Sequence, residues 1–266
     1  SWKGSLNHGG LPINSYVIDQ ISLARAAVDV NVDAKGYLSA DGERAYVFVD
    51  GDETDDFNEL MIYNTSAPDA IQLEGQISSV DGIHGIKGAR DVVVSQDGRI
   101  VYVVDQEGLK LWSIQNIATP IRLGEYLPGE PTDVPESAVL SESEDFVFLS
   151  TGEVIDVRNP SLPELVEKTN LDESWQAAAT VGDKLYTVNA DGLQIFNVQD
   201  LALTAEDTDF QDRKYAADFS IDGSSTPSAA HNIAVVGDRV YVADDEAGFA
   251  VIDVSDPTNP GSPTYY

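Results

Sequence analysis

The chain has 266 residues, 42% of them hydrophobic, and sets 46 Asp and Glu against 15 Lys and Arg for a formal net charge of −31. That excess disfavours nucleic acid, whose binding rests on clustered Lys and Arg releasing counterions, and it disfavours anionic lipid headgroups for the same reason. With no cysteine, disulfides, Cys-ligated zinc and a thiol nucleophile are excluded.

No apolar run approaches the roughly 20 residues of a membrane-spanning helix. The plainest meaning of the charge is a solvated acidic surface suited to salt water or the cell exterior. The chain opens at Ser1 without Met or a signal peptide. It is therefore expected to be a monomeric domain cut from a larger exported chain.

Along the chain, residues 1–30 hold a Gly-rich stretch with His8 and the phrase "SYVIDQ" (15–20). That phrase has the pattern of a third strand, so the segment is expected either to close the last repeat or to be half of a sixth one. From residue 31 a single unit recurs five times, at about 31–77, 78–127, 128–170, 171–210 and 211–266. Each unit reads as a short strand, a tight turn, a β-branched or aromatic strand, an acidic loop and an apolar strand ending in a polar residue.

Two series keep the copies in step. One is the second-strand aromatic, Tyr46, Tyr102, Phe148, Tyr186 and Tyr241; the other is the polar end of the third strand, Asn64, Ser113, Asp156, Asn197 and Asp253. The first turns read "ADGER", "QDGR", "SESED", "VGDK" and "VGDR", which are hairpin signals. Pro-containing phrases such as "VRNPSLP" and "VSDPTNP" then end most third strands.

Four short strands per unit of about 50 residues, with no amphipathic helix, predict an all-β fold. The architecture expected is a single β-propeller over 1–266, with five four-stranded blades (six as the alternative) and the N-terminal strand helping to close the ring. Near-continuous runs such as "DVVV" and "IVYVV" fit strands covered on both faces.

In that geometry the second-to-third-strand loops emerge on one side: 50–59, 105–108, 150–153, 189–192 and 244–248, the last containing Asp245. Each carries a carboxylate, so this face is expected to be acidic and to suit a cation or a basic partner. Loop 50–59 is the densest, with Asp50, Asp52, Asp55, Asp56, Asn58 and Glu59 offering oxygen ligands of the kind Ca²⁺ prefers. A solvated acidic loop is the competing reading.

His84 and His231 sit at blade junctions and, with His8, could supply nitrogens to a transition metal or a general base. Three unrelated loop histidines are the alternative. Arg90, Asp91, Glu136, Ser137, Gln176, His231 and Asn232 are placed to line a channel. Trp175, after "LDES", is a candidate to stack on a ligand, with core packing as the alternative. The once-per-unit aromatics and Trp112 read as packing.

"GFAVIDVSDPTNP" and "VYVAD" in the last unit resemble the LVIVD-repeat β-propellers, with a looser likeness to YVTN-type repeats. The resemblance implies the propeller fold and a setting in secreted or surface proteins of bacteria and archaea, often beside adhesion domains. It carries no shared catalytic residue.

Three functions are open on the residues. The first is a non-catalytic binding module whose acidic channel face meets a protein, peptide or glycan, with Ca²⁺ ordering the 50–59 loop. The second is a hydrolase or lyase using channel carboxylates or a histidine-bound metal. The third is a spacer or assembly domain.

Overall fold

The computed structural model describes residues 16–17, 35–39, 42–50, 57–67, 70–78, 85–129, 134–168, 175–189, 192–198, 230–244 and 248–266. Among these residues the secondary structure is strand and turn, in five consecutive antiparallel sheets. The first contains β1 (Tyr16–Val17), β2 (Lys35–Leu38), β3 (Arg44–Asp50), β4 (Phe57–Asn64) and β5 (Gln72–Ser78). The second contains β6 (Asp91–Val94), β7 (Ile100–Asp105), β8 (Gly108–Ser113) and β9 (Ile121–Tyr126).

The third sheet contains β10 (Ala138–Leu140), β11 (Phe146–Leu149), β12 (Glu153–Asp156) and β13 (Glu164–Lys168). The fourth shows β14 (Ala177–Val181), β15 (Lys184–Asn189) and β16 (Gly192–Asn197). The fifth contains β17 (Ala230–Val236), β18 (Arg239–Asp244), β19 (Gly248–Asp253) and β20 (Thr264–Tyr265). The all-β architecture expected from the repeat is what the chain adopts, with five sheets among the described residues.

Sheets form where they do because the turns between first and second strands demand a left-handed residue. Gly42, Gly98, Gly182 and Gly237 supply it at φ between 56° and 71°, and in the third sheet Glu144 does so at φ 61°. For Glu this conformation costs on the order of 1 kcal/mol. Its carboxylate accepts the amide N–H of Gln96 from the second sheet's hairpin, tying the two turns together.

The third strands end in side-chain caps. Asn64 accepts the N–H of Ser66, Asp156 that of Arg158 and Asp253 that of Ser255, at 3.0 Å each. These caps explain why one polar residue recurs there: it takes up a donor that the strand has just released. The Pro-containing turn that follows packs on the preceding sheet. A Cβ on Gly75 of β5 would lie 1.9 Å from the Ile117 carbonyl oxygen, and one on Gly124 of β9 would lie 2.6 Å from that of Pro160.

Sheets stack face to face in chain order, their first strands β2, β6, β10, β14 and β17 lying side by side in succession. We call the face turned to the next sheet forward and the other rear. Among the described residues four cores lie between successive sheets. Tyr46 and Phe48 meet Val92, Val101 and Trp112, and Tyr102 meets Leu140 and Val147. Phe148 meets Leu185 and Phe196, and Tyr186 meets Val240 and Ile252. Strands such as β7 are thus buried on both faces, which is why they read as apolar runs rather than alternating ones.

The N-terminal strand corrects one expectation. β1 pairs antiparallel with β2 of the first sheet, Tyr16 opposite Gly36 and Val17 opposite Lys35. The last sheet takes its fourth strand from the chain's own end, with Ala250 opposite Tyr265 and Val251 opposite Thr264. A short local connection through "DPTNP" closes that pairing with far less loop entropy than a segment from the other end of the chain.

Candidate functional site

The loop joining β7 to β8 is the best defined part of the expected acidic face. Its centre is a buried charge cluster: the Lys110 ammonium donates to Asp105 at 2.6 Å, to Glu107 at 2.7 Å and to the Gly85 carbonyl at 3.1 Å. Lys110 is 1% and Asp105 0% exposed. Asp105 also accepts the backbone N–H groups of Lys87, Glu107 and Gly108 at 3.0, 2.9 and 3.2 Å.

Such a site is stable only because every charge is answered. Hydrogen bonds from Lys110 and then Lys87 hold the Glu107 carboxyl below its ordinary range, and Glu107 in turn raises the Lys87 ammonium. Two carboxylates here face two lysines, so this loop presents no excess negative charge.

The third sheet repeats the theme with different chemistry. Glu153, 2% exposed at the start of β12, accepts hydrogen bonds from the Thr151 hydroxyl and from the Tyr126 phenol of the second sheet at 3.4 Å. Ser150 accepts the N–H groups of Glu136 and Ser137 at 2.8 and 3.2 Å.

Where the first strands begin, Arg90 and Glu136 form an ion pair between the second and third sheets. Asp91 caps its neighbour Val92 at 2.8 Å and reaches the N–H of Ala138 in the next sheet at 3.0 Å. Asn232 in β17 repeats the self-cap on Ile233 at 2.8 Å.

The expected site residues therefore separate. Arg90 joins a contact between sheets beside Glu136. Trp175 is 4% exposed and packs with Phe148 and Phe196 between the third and fourth sheets. This corrects its reading as a ligand-stacking ring, because an indole with that surface already buried has none to offer a ligand. Asp50 ends β3 opposite Phe57, while Asn58 and Glu59 lie in β4, Glu59 opposite Val49. Asp52, Asp55 and Asp56 lie outside the described residues, as do His8, His84 and Asp245.

His231 is in β17. Among the described residues no three His, Asp or Glu side chains group as a metal site. Sequence reasoning missed Lys110, whose signal is a lysine inside the otherwise apolar strand "GLKLWS", five residues after Asp105.

Comparison with known proteins bears on the fold. The LVIVD repeat family model matches residues 227–264. A crystal structure of a functionally unknown protein from Desulfotomaculum acetoxidans DSM 771 is similar at a TM-score of 0.62 and 13% identity, covering 90% of this chain and 70% of that one. The Cps50 (Swd1) beta-propeller domain of Myceliophteria thermophila is similar at 0.58 and 12%, covering 87% and 72%.

The fold is a β-propeller with an LVIVD repeat in its last blade. No curated protein matches the chain. Among the described residues of the propeller, no helix is long and apolar enough to cross a membrane.

Proposed function

We propose that this propeller is a non-catalytic binding module of an exported or cell-surface protein. In this reading it engages a protein, peptide or glycan on the face where the second-to-third-strand loops emerge, with Ca²⁺ ordering loop 50–59. One observation carries the reading. Five described carboxylates of that face, Asp91, Asp105, Glu107, Glu136 and Glu153, each hold a structural hydrogen bond or ion pair. Groups engaged in this way give a face shape and charge rather than a poised acid and base.

The recognition charge then falls to loop 50–59, with the chain's net −31 adding attraction for a cationic or calcium-bridged partner. The resemblance of the last unit to surface-protein repeats supports the exported setting.

The test is a peptide and glycan array probed with the chain, with and without millimolar calcium, alongside thermal melting. The reading expects binding to cationic peptides or to glycans that weakens with salt. It also expects a calcium-dependent rise in Tm that disappears in the D52N/D55N variant. A Tm indifferent to calcium removes the metal. An array blank in both conditions, or turnover of an arrayed glycan, removes the module.

A further inference from the structure

Three of the four seams between successive sheets are apolar at one corresponding place. The second residue after the repeat aromatic, on the forward face, shares a core with the first residue after the aromatic of the next sheet, on its rear face. Those pairs are Phe48 with Val103, Val104 with Leu149, and Val188 with Val242. Between the third and fourth sheets the same two places are held by Ser150 and Thr187, and the core of that seam is built without them.

Both are buried, Ser150 at 1% and Thr187 at 0% exposed. Thr187 stands between Ala178 and Gln194 in its ladder, and among the described residues its hydroxyl oxygen has no hydrogen-bond partner. Ser150 Oγ accepts the N–H groups of Glu136 and Ser137, which fills both lone pairs and leaves its own proton to donate. The Ser137 hydroxyl, on the strand beside Ser150, is enclosed and has no partner among the described residues. Asp91 holds the corresponding position in the second sheet and spans to the N–H of Ala138 in the next sheet at 3.0 Å. Serine is one bond shorter and makes no such contact.

Buried hydroxyls in folded proteins are answered by another protein group or by ordered water. We propose that Ser137, Ser150 and Thr187 form a binding site for one buried water molecule between the third and fourth sheets. Water fits in number, because such a molecule makes about three hydrogen bonds, here accepting from Ser150 and pairing with Ser137 and Thr187. It fits in size. Ser150, where the seams on either side carry Val104 and Val188, gives up one methyl group, close to the roughly 30 Å³ that a water takes up. It also fits in charge, since Ala178 and Gln194, which flank Thr187, are neutral and call for no ion.

The test counts long-lived internal waters in the folded 266-residue chain by oxygen-17 relaxation dispersion, beside thermal melting. S137A/T187V leaves the two N–H groups on Ser150 in place and removes two of the water's three partners. It should hold one such water fewer than the native chain. T187V alone should melt about 2–4 °C lower, because it takes a hydrogen bond from an enclosed water. Exchanging sodium for potassium or ammonium at constant ionic strength should leave Tm where it is.

Equal water counts in the native chain and S137A/T187V overturn the proposal. A T187V chain that melts at or above the native temperature does so too, because removing a dry buried hydroxyl relieves the fold. A Tm that follows the identity of the cation also overturns it, since an ion then holds the place.

Discussion

The second and fifth sheets share the same repeat but not the same surroundings. The fifth is the sharpest copy in sequence and the one the LVIVD repeat model matches, yet among the described residues only its rear face is packed. The second departs from the repeat with Trp112 and Lys110 in its third strand, yet it is buried on both faces and carries a buried charge cluster of its own. Legibility of a repeat thus reports the demands of strands and turns, which every copy meets. It does not report burial, which depends on what each copy stands beside.

Three measurements break or sharpen that contrast. The largest effect is expected from removing the repeat aromatic. Tyr102→Ala should cost about 4 kcal/mol in urea denaturation, as for other buried large-to-small changes, whereas Tyr241→Ala should cost about 1 kcal/mol because its ring is half-buried. Equal losses would mean that the two sheets are equally enclosed. Burial also pushes the Tyr102 phenol up to about 12, with Glu144 and Asp97 adding to it, so its ionisation should lag in a spectrophotometric titration.

Next comes the charge cluster, which the fifth sheet lacks at the aligned position, Ala250. Lys110→Met leaves Asp105 buried without its ammonium and should cost about 3 kcal/mol at neutral pH; Asp105→Asn in the same chain should recover part of that loss. A loss below about 1 kcal/mol would show that the cluster is hydrated.

The smallest effect is electrostatic. Hydrogen bonding, first from Asn64 and then from Arg44, holds the Glu74 carboxyl below its ordinary value of 4.5. A carboxyl whose pKa is lowered on folding contributes stability in full above its unfolded value, and loses it as pH falls through the folded one. The stability difference between the native chain and Arg44→Gln should therefore hold steady, under about 1 kcal/mol, above roughly pH 5 and shrink below roughly pH 4. Taking a difference cancels the general relief of self-repulsion as this acidic chain approaches its pI of 4.1.

Much of the fold was legible in the residues. The hairpin turns, the aromatic series and the polar third-strand ends each mark a local requirement: a left-handed residue, an inter-sheet contact and a capped donor. The site was less legible because its chemistry crosses between sheets. Lys87, which with Lys110 neutralises loop 105–108, precedes the first strand of its sheet. Tyr126, which reaches Glu153, belongs to the sheet before. A carboxylate in a loop looks the same in sequence whether it faces solvent or a partner brought in by folding. Trp175 shows the converse, a junction residue whose burial is decided by Phe148 and Phe196 from two different sheets.

Ala179 and Ala234 occupy the same place in the fourth and fifth sheets, each opposite its sheet's tyrosine, Tyr186 and Tyr241. Ala179 is 7% exposed and Ala234 lies open. Labelling rates of A179C and A234C in the otherwise cysteine-free chain test the serial stack most directly. The account predicts that A234C reacts at least about tenfold faster. Equal rates would contradict a series of sheets that ends on an uncovered aromatic face.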